Sequence, residues 1–385
     1  MPANPDWHEM KKNWLFFYLK TGGGHLSPAR ALSGAMKAKY GNDIEIQLID
    51  GLDGAVKPAQ WIIEDGYRTS INYAKWVFEL LYAFNKIGFF HRLSNRMFSP
   101  VTQKIIKKHI RKNQPGRIVI FHYFLIQPVY ASLKDLDIHV PVTVVVTDPY
   151  TAHPIWFNDK RPDFIVFSEK LKAYLLKKGF PASRIHQFPQ IINPAFEHRF
   201  ISVEKENIYQ RHGLDSQRKT ILIFGGGDGL KKGLPVLRKL LQMKARPNII
   251  MVCGRNQIME NMARKLVEKS GRTHVKIFGF VHFMHELLSV ADIVVSKCGA
   301  SALAEMLISK KIPVVVDYIW EQEKGNVDFL LENDLGFYEP RPTVAVQRLI
   351  QLLTNRQLFN QYTHNLEKLD YKNGVYEVAE FLRSR

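Results

Sequence analysis

Four short stretches carry residue types that could do chemistry. TGGGH (21–25) places Gly22, Gly23 and Gly24 after an apolar run and before a helical pattern that Ser27-Pro28 would open. Residues without side chains let a ligand approach the backbone, and a helix start favours negative charge. The imidazole of His25 could take a proton from an attacking hydroxyl, or it could simply cap the turn. ILIFGGGDGLKKGLP (221–235) repeats the strand, glycine turn and helix order, with Gly226 and Gly227 inside a second loop of exposed N–H groups.

SKCGASALAEMLISKKIPVVV (296–316) runs from a strand end through Gly299, Ala300 and Ser301 into a helix. The N–H groups of that helix start and the Ser301 hydroxyl could seat a diphosphate without a metal. Glu305, four residues on and on the same face, could accept hydrogen bonds from ribose hydroxyls. Glu321, Gln322 and Asn326 follow in a loop after the next buried strand, where ligand contacts are common. VTDPYTAHPIWF (146–157) brings Asp148 and His153 to another strand mouth as a possible acid/base pair, with Trp156 as core unless it meets a lipid or sugar. FHYFLIQP (121–128) puts His122 at a third. There is no cysteine cluster and no H-E-x-x-H, so neither a metal nor another cofactor is expected.

The elements that must position these groups are short β-rich runs alternating with helical patterns. Strands are expected at 14–19, 44–49, 117–122, 142–148, 164–168, 185–189, 220–225, 248–253, 275–279, 292–296 and 313–317. Continuous Val/Ile runs between helices indicate parallel sheets covered on both faces, and two such series predict two doubly wound α/β domains. Ligands in such sheets lie beyond the strand carboxyl ends, where the motifs fall. The boundary is expected within NPAFEHRF (193–200), giving domains 1–195 and 196–385, with the last helix, 375–384, either closing the second domain or crossing back to the first.

The 385 residues carry 54 Lys+Arg against 36 Asp+Glu, a net charge of +18, which implies an anionic partner. No nucleic-acid-binding module is recognisable, so nucleic acid is not the expected partner. Two cysteines point to a reducing compartment, and neither a signal peptide nor a membrane-spanning run is legible, so a cytosolic place, free or on a membrane face, is expected. From Lys86 to Arg117 there are nine Lys/Arg and no acid, just after the aromatic run 76–90. With Trp76, Phe89, Phe90, Lys104, Lys107, Lys108 and Arg111, this is the composition of an interfacial membrane anchor, or of a core helix followed by a solvated basic one.

TGGGHLSPARAL, VTDPYTAHPIWF, FGGGDGLKKG, FGFVHFMHELLSVADIVVSKCGASALAE and DYIWEQEKGN occur in that order. Together they resemble the monogalactosyldiacylglycerol (MGDG) synthase family, kin to the bacterial diacylglycerol glucosyltransferases and to the lipid II N-acetylglucosaminyltransferase. The resemblance implies a GT-B fold, two Rossmann-like domains facing across a cleft. It implies transfer of a hexose from a UDP-sugar to a diacylglycerol-like hydroxyl, with inversion and without a metal, on the cytosolic face of a membrane. An acceptor of another kind, as in lipid II-type N-acetylglucosaminyl transfer, or UDP-sugar epimerase chemistry is the alternative. His25 would be the general base, with Asp148 the other assignment. Gly23, Gly24, Gly226 and Gly227 would flank the diphosphate. Phe280-Val281 would hold uracil, Gly299-Ala300-Ser301 the phosphates, and Glu305 the ribose. Glu321 and Gln322 would read the sugar, supported by Asn326. His122, His153 and Trp156 would line the acceptor side, and the 76–117 segment would dock on anionic lipid. SKCGAS and Tyr-Ile-Trp depart from the usual family forms, which leaves the sugar and the acceptor open.

Overall fold

A computed structural model describes residues 12–20, 23–53 and 88–385, the last span with its side chains from residue 100 onward. Trp76 lies outside these residues. Phe89 and Phe90 are described by backbone alone, inside a helix.

The strand β1 (Asn13–Tyr18) shows how the first sheet is built. Trp14, Phe16 and Tyr18 enter one core and Leu15, Phe17 and Leu19 another. A strand that is apolar on both faces must be central and covered on both sides. The rest of this unit is α1 (Gly23–Tyr40), β2 (Glu45–Asp50), α2 (Gly88–Asn113), β3 (Arg117–Ile120), α3 (Ile126–Leu136), β4 (Val142–Val145), β5 (Asp163–Val166), α4 (Glu169–Lys177) and β6 (Ile185–Gln187). Its six strands are parallel, in the order β2-β1-β3-β4-β5-β6. Ile106 and Ile110 of α2, Val129 and Leu133 of α3, and Leu171 and Leu175 of α4 fill one face.

The second unit holds α5 (Ser202–Arg211), β7 (Thr220–Phe224), α6 (Gly233–Leu241), β8 (Asn248–Val252), α7 (Gln257–Ser270), β9 (Val275–Phe278), α8 (Met284–Val290), β10 (Ile293–Lys297), α9 (Ala300–Ile308), β11 (Ile312–Asp317), α10 (Lys324–Glu332), β12 (Phe337–Tyr338), α11 (Pro342–Thr354) and α12 (Arg356–Lys368). Its sheet is parallel as well, in the order β12-β11-β10-β7-β8-β9. All eleven expected strands are present, most of them ending one to three residues earlier than the apolar runs do.

The chain divides between Asn193 and Pro194, inside the stretch read as the boundary. Residues 374–385, whose helix the sequence leaves free to close the second domain or to cross back, belong to the first unit. The reason is an apolar stripe. Val375, Val378, Ala379 and Leu382 of α13 (Val375–Ser384) are fully buried beside Ala29, Leu32 and Met36 of α1, covering the second face of the first sheet. Each large side chain so buried contributes roughly 1.5–3 kcal/mol. One correction concerns α1, which begins at Gly23 and not at Ser27-Pro28. Pro28 lies inside the helix, where its missing N–H leaves only the Gly24 carbonyl without its usual partner. His25 therefore stands in the first helical turn.

Candidate active site

Each sheet reverses its winding next to its first strand. From β1 the chain goes to β2 on one side and to β3 on the other, and from β7 to β8 on one side and β10 on the other. A crevice opens beyond the carboxyl ends at such a point. His25 and the glycine loop 225–229 follow the strands at these two places.

In the first unit His25 follows β1, His122 follows β3, and Thr147 and Asp148 follow β4, three adjacent strands. Nδ1 of His25 lies 2.8 Å from the carbonyl oxygen of Phe121 and 2.8 Å from the Thr147 hydroxyl. A carbonyl oxygen only accepts, so Nδ1 carries the proton and donates it, and Thr147 Oγ1 shares that donor. The lone pair is thereby fixed on Nε2. Burial lowers the His25 pKa to about 4, against the opposing effect of the Phe121 carbonyl, so the ring is neutral at pH 7.

His122 has the opposite tautomer. Its Nδ1 accepts from the N–H of Phe124 at 3.2 Å, which leaves the proton on Nε2. The two imidazoles lie 4.4 Å apart between centroids. Burial, then the neighbouring His25, holds His122 well below its ordinary pKa.

Asp148 and Trp156 form a buried pair in which Nε1–H donates to Oδ2 at 2.9 Å. Trp156 is fully buried, with Tyr123 edge-on at 5.3 Å and His25 at 6.3 Å. It is a wall of the crevice and presents no ring to a surface. His153 is also buried, and its Nδ1 accepts from the N–H of Ile155, capping the turn 154–157. The helix of the segment read as membrane-docking splits into faces. Ile105, Ile106 and Ile110 are buried, while Lys104, Lys108 and Arg111 are exposed on the other side. Lys107 leaves that stripe to pair with Asp135 at 2.7 Å. An Asp-Leu-Asp run, a spacing at which carboxylates can share a cation, closes α3: Asp135 is taken by Lys107 and Asp137 is the left-handed C-cap at φ 52°.

In the second unit the loop after β7 carries one side chain, Asp228, among four glycines. Gly226 is exposed at φ +80°, with nothing within 4 Å of where a side chain would start. Gly254, in the neighbouring turn after β8, is required for a different reason. A Cβ there would stand 2.3 Å from the carbonyl oxygen of Gly227. Across the switch point, Gly299 is the N-cap of α9, and no side chain caps this helix start. Ala300, Ser301 and Glu305 follow in it, each half-buried. Desolvation pushes the Glu305 carboxyl up to about 8.

Asn326 is buried and its Nδ2 donates to the carbonyl of Cys298 at 2.8 Å, tying α10 to the turn that opens α9. Glu321 is held at φ +58°, a conformation that costs a side-chain-bearing residue about 1–3 kcal/mol. Gln322 follows it, half-buried, and Phe280 and Val281 stand at the end of β9, with Phe280 46% exposed. Gly23 and Gly24 open α1 in the first unit.

Sequence reasoning passed over four residues here. Thr147 shares the His25 donor. Lys297, at the end of β10, pairs with the buried Glu323 at 3.2 Å, and Glu323 also accepts from the N–H of Ile319. Arg255 lies against the glycine loop. Lys297 and Glu323 stand inside the quoted motifs and were legible there. Thr147 also stands inside a quoted motif, but its contact with His25, like the place of Arg255, rests on tertiary structure alone.

The profile of the family "Monogalactosyldiacylglycerol (MGDG) synthase" matches residues 25–189, and that of the "Glycosyltransferase family 28 C-terminal domain" matches 220–380. Monogalactosyldiacylglycerol synthase 2, chloroplastic, of Arabidopsis thaliana is 25% identical over 385 residues, covering 97% of this chain and 80% of that one. Among solved structures, MurG of Acinetobacter baumannii superposes with a TM-score of 0.61 at 16% identity, covering 97% of this chain and all of that one. Anabaena Alr3699/HepE, in complex with UDP-glucose, gives a TM-score of 0.57 at 12% identity over 97% of this chain and 100% of the other. The two-unit architecture is that of the GT-B glycosyltransferases.

Proposed function

The chain belongs to the glycosyltransferases of the MGDG synthase group, and from that premise we propose that it transfers a hexose from a UDP-sugar to a diacylglycerol-like lipid hydroxyl. The observation that carries the mechanism is the fixed tautomer of His25: Nδ1–H is held by the Phe121 carbonyl, and Nε2 is left as a neutral base. In this reading the acceptor oxygen attacks the anomeric carbon and its proton passes to Nε2. The bond from the anomeric carbon to the diphosphate breaks, and its electron pair leaves with UDP. Attack opposite the leaving group inverts the anomeric centre.

The imidazolium so formed keeps its Nδ1–H bonds to Phe121 and Thr147. Asp148 is committed to Trp156 through Oδ2 and serves to set that wall, so His25 is preferred to it as the base. The growing charge on the diphosphate is met by the uncapped start of α9 and the loop at Gly226 and Gly227, with no metal called for. Glu305 supports the ribose, and Glu321 and Gln322 the sugar. Among the described residues no helix is long and apolar enough to cross a membrane. We infer contact with an anionic membrane surface, on its cytosolic face, through the exposed Lys104, Lys108 and Arg111 of α2.

The test is UDP release with a panel of UDP-sugars, with and without diacylglycerol vesicles that contain anionic lipid. Lipid-dependent turnover with one sugar, lost in His25→Ala, is the expected result. Turnover indifferent to the vesicles would move the acceptor to a soluble compound.

A further inference from the structure

We propose that Arg255 is the cation that grips the donor's diphosphate, an inference that rests on the donor reading of the second unit. Arg255 is fixed to the glycine loop by its own backbone, its N–H donating to the carbonyl of Gly227 at 2.7 Å. Gly254 before it, at φ +62°, presses so closely on Gly227 that no Cβ fits between them. The turn after β8 and the loop after β7 are therefore seated directly against one another.

The side chain then folds back over the loop. Its Nη1 lies 3.1 Å from where a Cβ of Gly227 would stand, and its guanidinium carbon lies 4.6 Å from the centre of the Phe280 ring. Four of the ten other arginines of this unit pair with a carboxylate. Arg211 pairs with Glu286, Arg218 with Asp215, Arg264 with Glu260 and Arg341 with Glu339. Arg255 has neither an ion pair nor a side-chain hydrogen bond among the described residues.

An exposed guanidinium without a counter-ion is usually just solvated. Three features separate this one. Its backbone is anchored, one face is stacked on an aromatic ring, and it overhangs Gly227 in a loop whose one side chain is that of Asp228. A planar guanidinium can stack through its face and still donate through its edge, which suits it to two phosphate oxygens at once. The span from the exposed Phe280 ring to the glycine loop thus offers a flat apolar surface, a cation and a bare backbone in series. That sequence matches a base, a ribose and a diphosphate.

The test is calorimetric titration of the full chain with UDP and with uridine, in the wild type, Arg255→Ala and Arg255→Lys, with thermal melting as a check on folding. The wild type is expected to bind UDP far more tightly than uridine. Arg255→Ala is expected to weaken UDP about 10- to 100-fold, to leave uridine within about twofold, and to flatten the salt dependence of UDP binding. Arg255→Lys recovers part of the loss, since it keeps the charge but not the fork. Unchanged UDP affinity in Arg255→Ala overturns the proposal. So does an equal loss of UDP and uridine, which would make Arg255 a support for Phe280. A wild-type chain that binds no UDP overturns the donor reading itself, and this role with it.

Discussion

In the first unit the crevice beside β1 is filled: His25, His122, Asp148, His153 and Trp156 are all less than a tenth exposed. In the second, the crevice beside β7 is empty of side chains where Gly226 stands exposed, and its rim carries the half-exposed Phe280 and the exposed Arg255. The two sheets share a parallel build and a reversal next to their first strand, so topology does not make the difference. The chemistry demanded of each place does. A base must have its lone pair aimed and kept from protonation, which burial and a carbonyl partner achieve. An anion must reach N–H groups directly, which a side chain at Gly226 would obstruct.

The sharpest way to break this comparison is to remove the base. His25→Ala should cut turnover by roughly 10²–10⁴-fold and leave UDP affinity within about twofold, because base and anion seat stand in different units. Matched losses in stopped-assay turnover and calorimetric UDP binding would show that the division of labour is wrong.

Next in size is a pH effect confined to the filled crevice. The folded pKa of His25, about 4, lies below its ordinary 6.5. Its neutral form is favoured in the folded chain. The associated stability is complete above pH 6.5 and is lost as the pH falls toward 4. The full loss is about 3 kcal/mol, at 1.36 kcal/mol per pH unit. In urea titrations at pH 7.5 and 4.5, His25→Gln should lose less stability on acidification than the wild type, by about 2–3 kcal/mol. Parallel losses in the two proteins would mean that His25 is not buried neutral.

Smaller effects sharpen each side in turn. Gly226→Ala puts a methyl at φ +80° and should weaken UDP about tenfold by calorimetry, with the cost of the left-handed conformation about 1–2 kcal/mol. Thr147→Val removes the second acceptor at Nδ1 and should lower kcat only about three- to tenfold, moving the acidic limb of its pH profile. A flat profile with a fall in kcat would assign Thr147 to packing alone.

The strands were legible because the sheets are buried on both faces, so WLFFYL, VTVVVTD and TILIFG read as unbroken apolar runs. The two-residue β12 was not, since Phe337-Tyr338 is too short to show a period. The preference of proline for a first turn placed the start of α1 four residues late. His25, the glycine loop and the start of α9 could be picked out from local pattern. What fixes the tautomer of His25 could not, because a carbonyl 96 residues away leaves no mark on the sequence. The same holds for Trp156. Its neighbourhood of Pro, His and Thr resembles an exposed loop, yet it is fully buried, with the rings of His25, His122 and Tyr123 around it.

The return of α13 to the first unit has a consequence for how the chain is made. Leu32 and Met36 of α1 pack in one core with Val378 and Leu382, which are synthesised more than three hundred residues later. The first sheet is therefore assembled before the second unit but roofed after it. Until α13 leaves the ribosome, that apolar face is open to chaperones or to misassociation, while the second unit, whose residues run continuously from Pro194 to Asn373, can already close. A chain shortened by its last dozen residues should thus lose its first unit before its second.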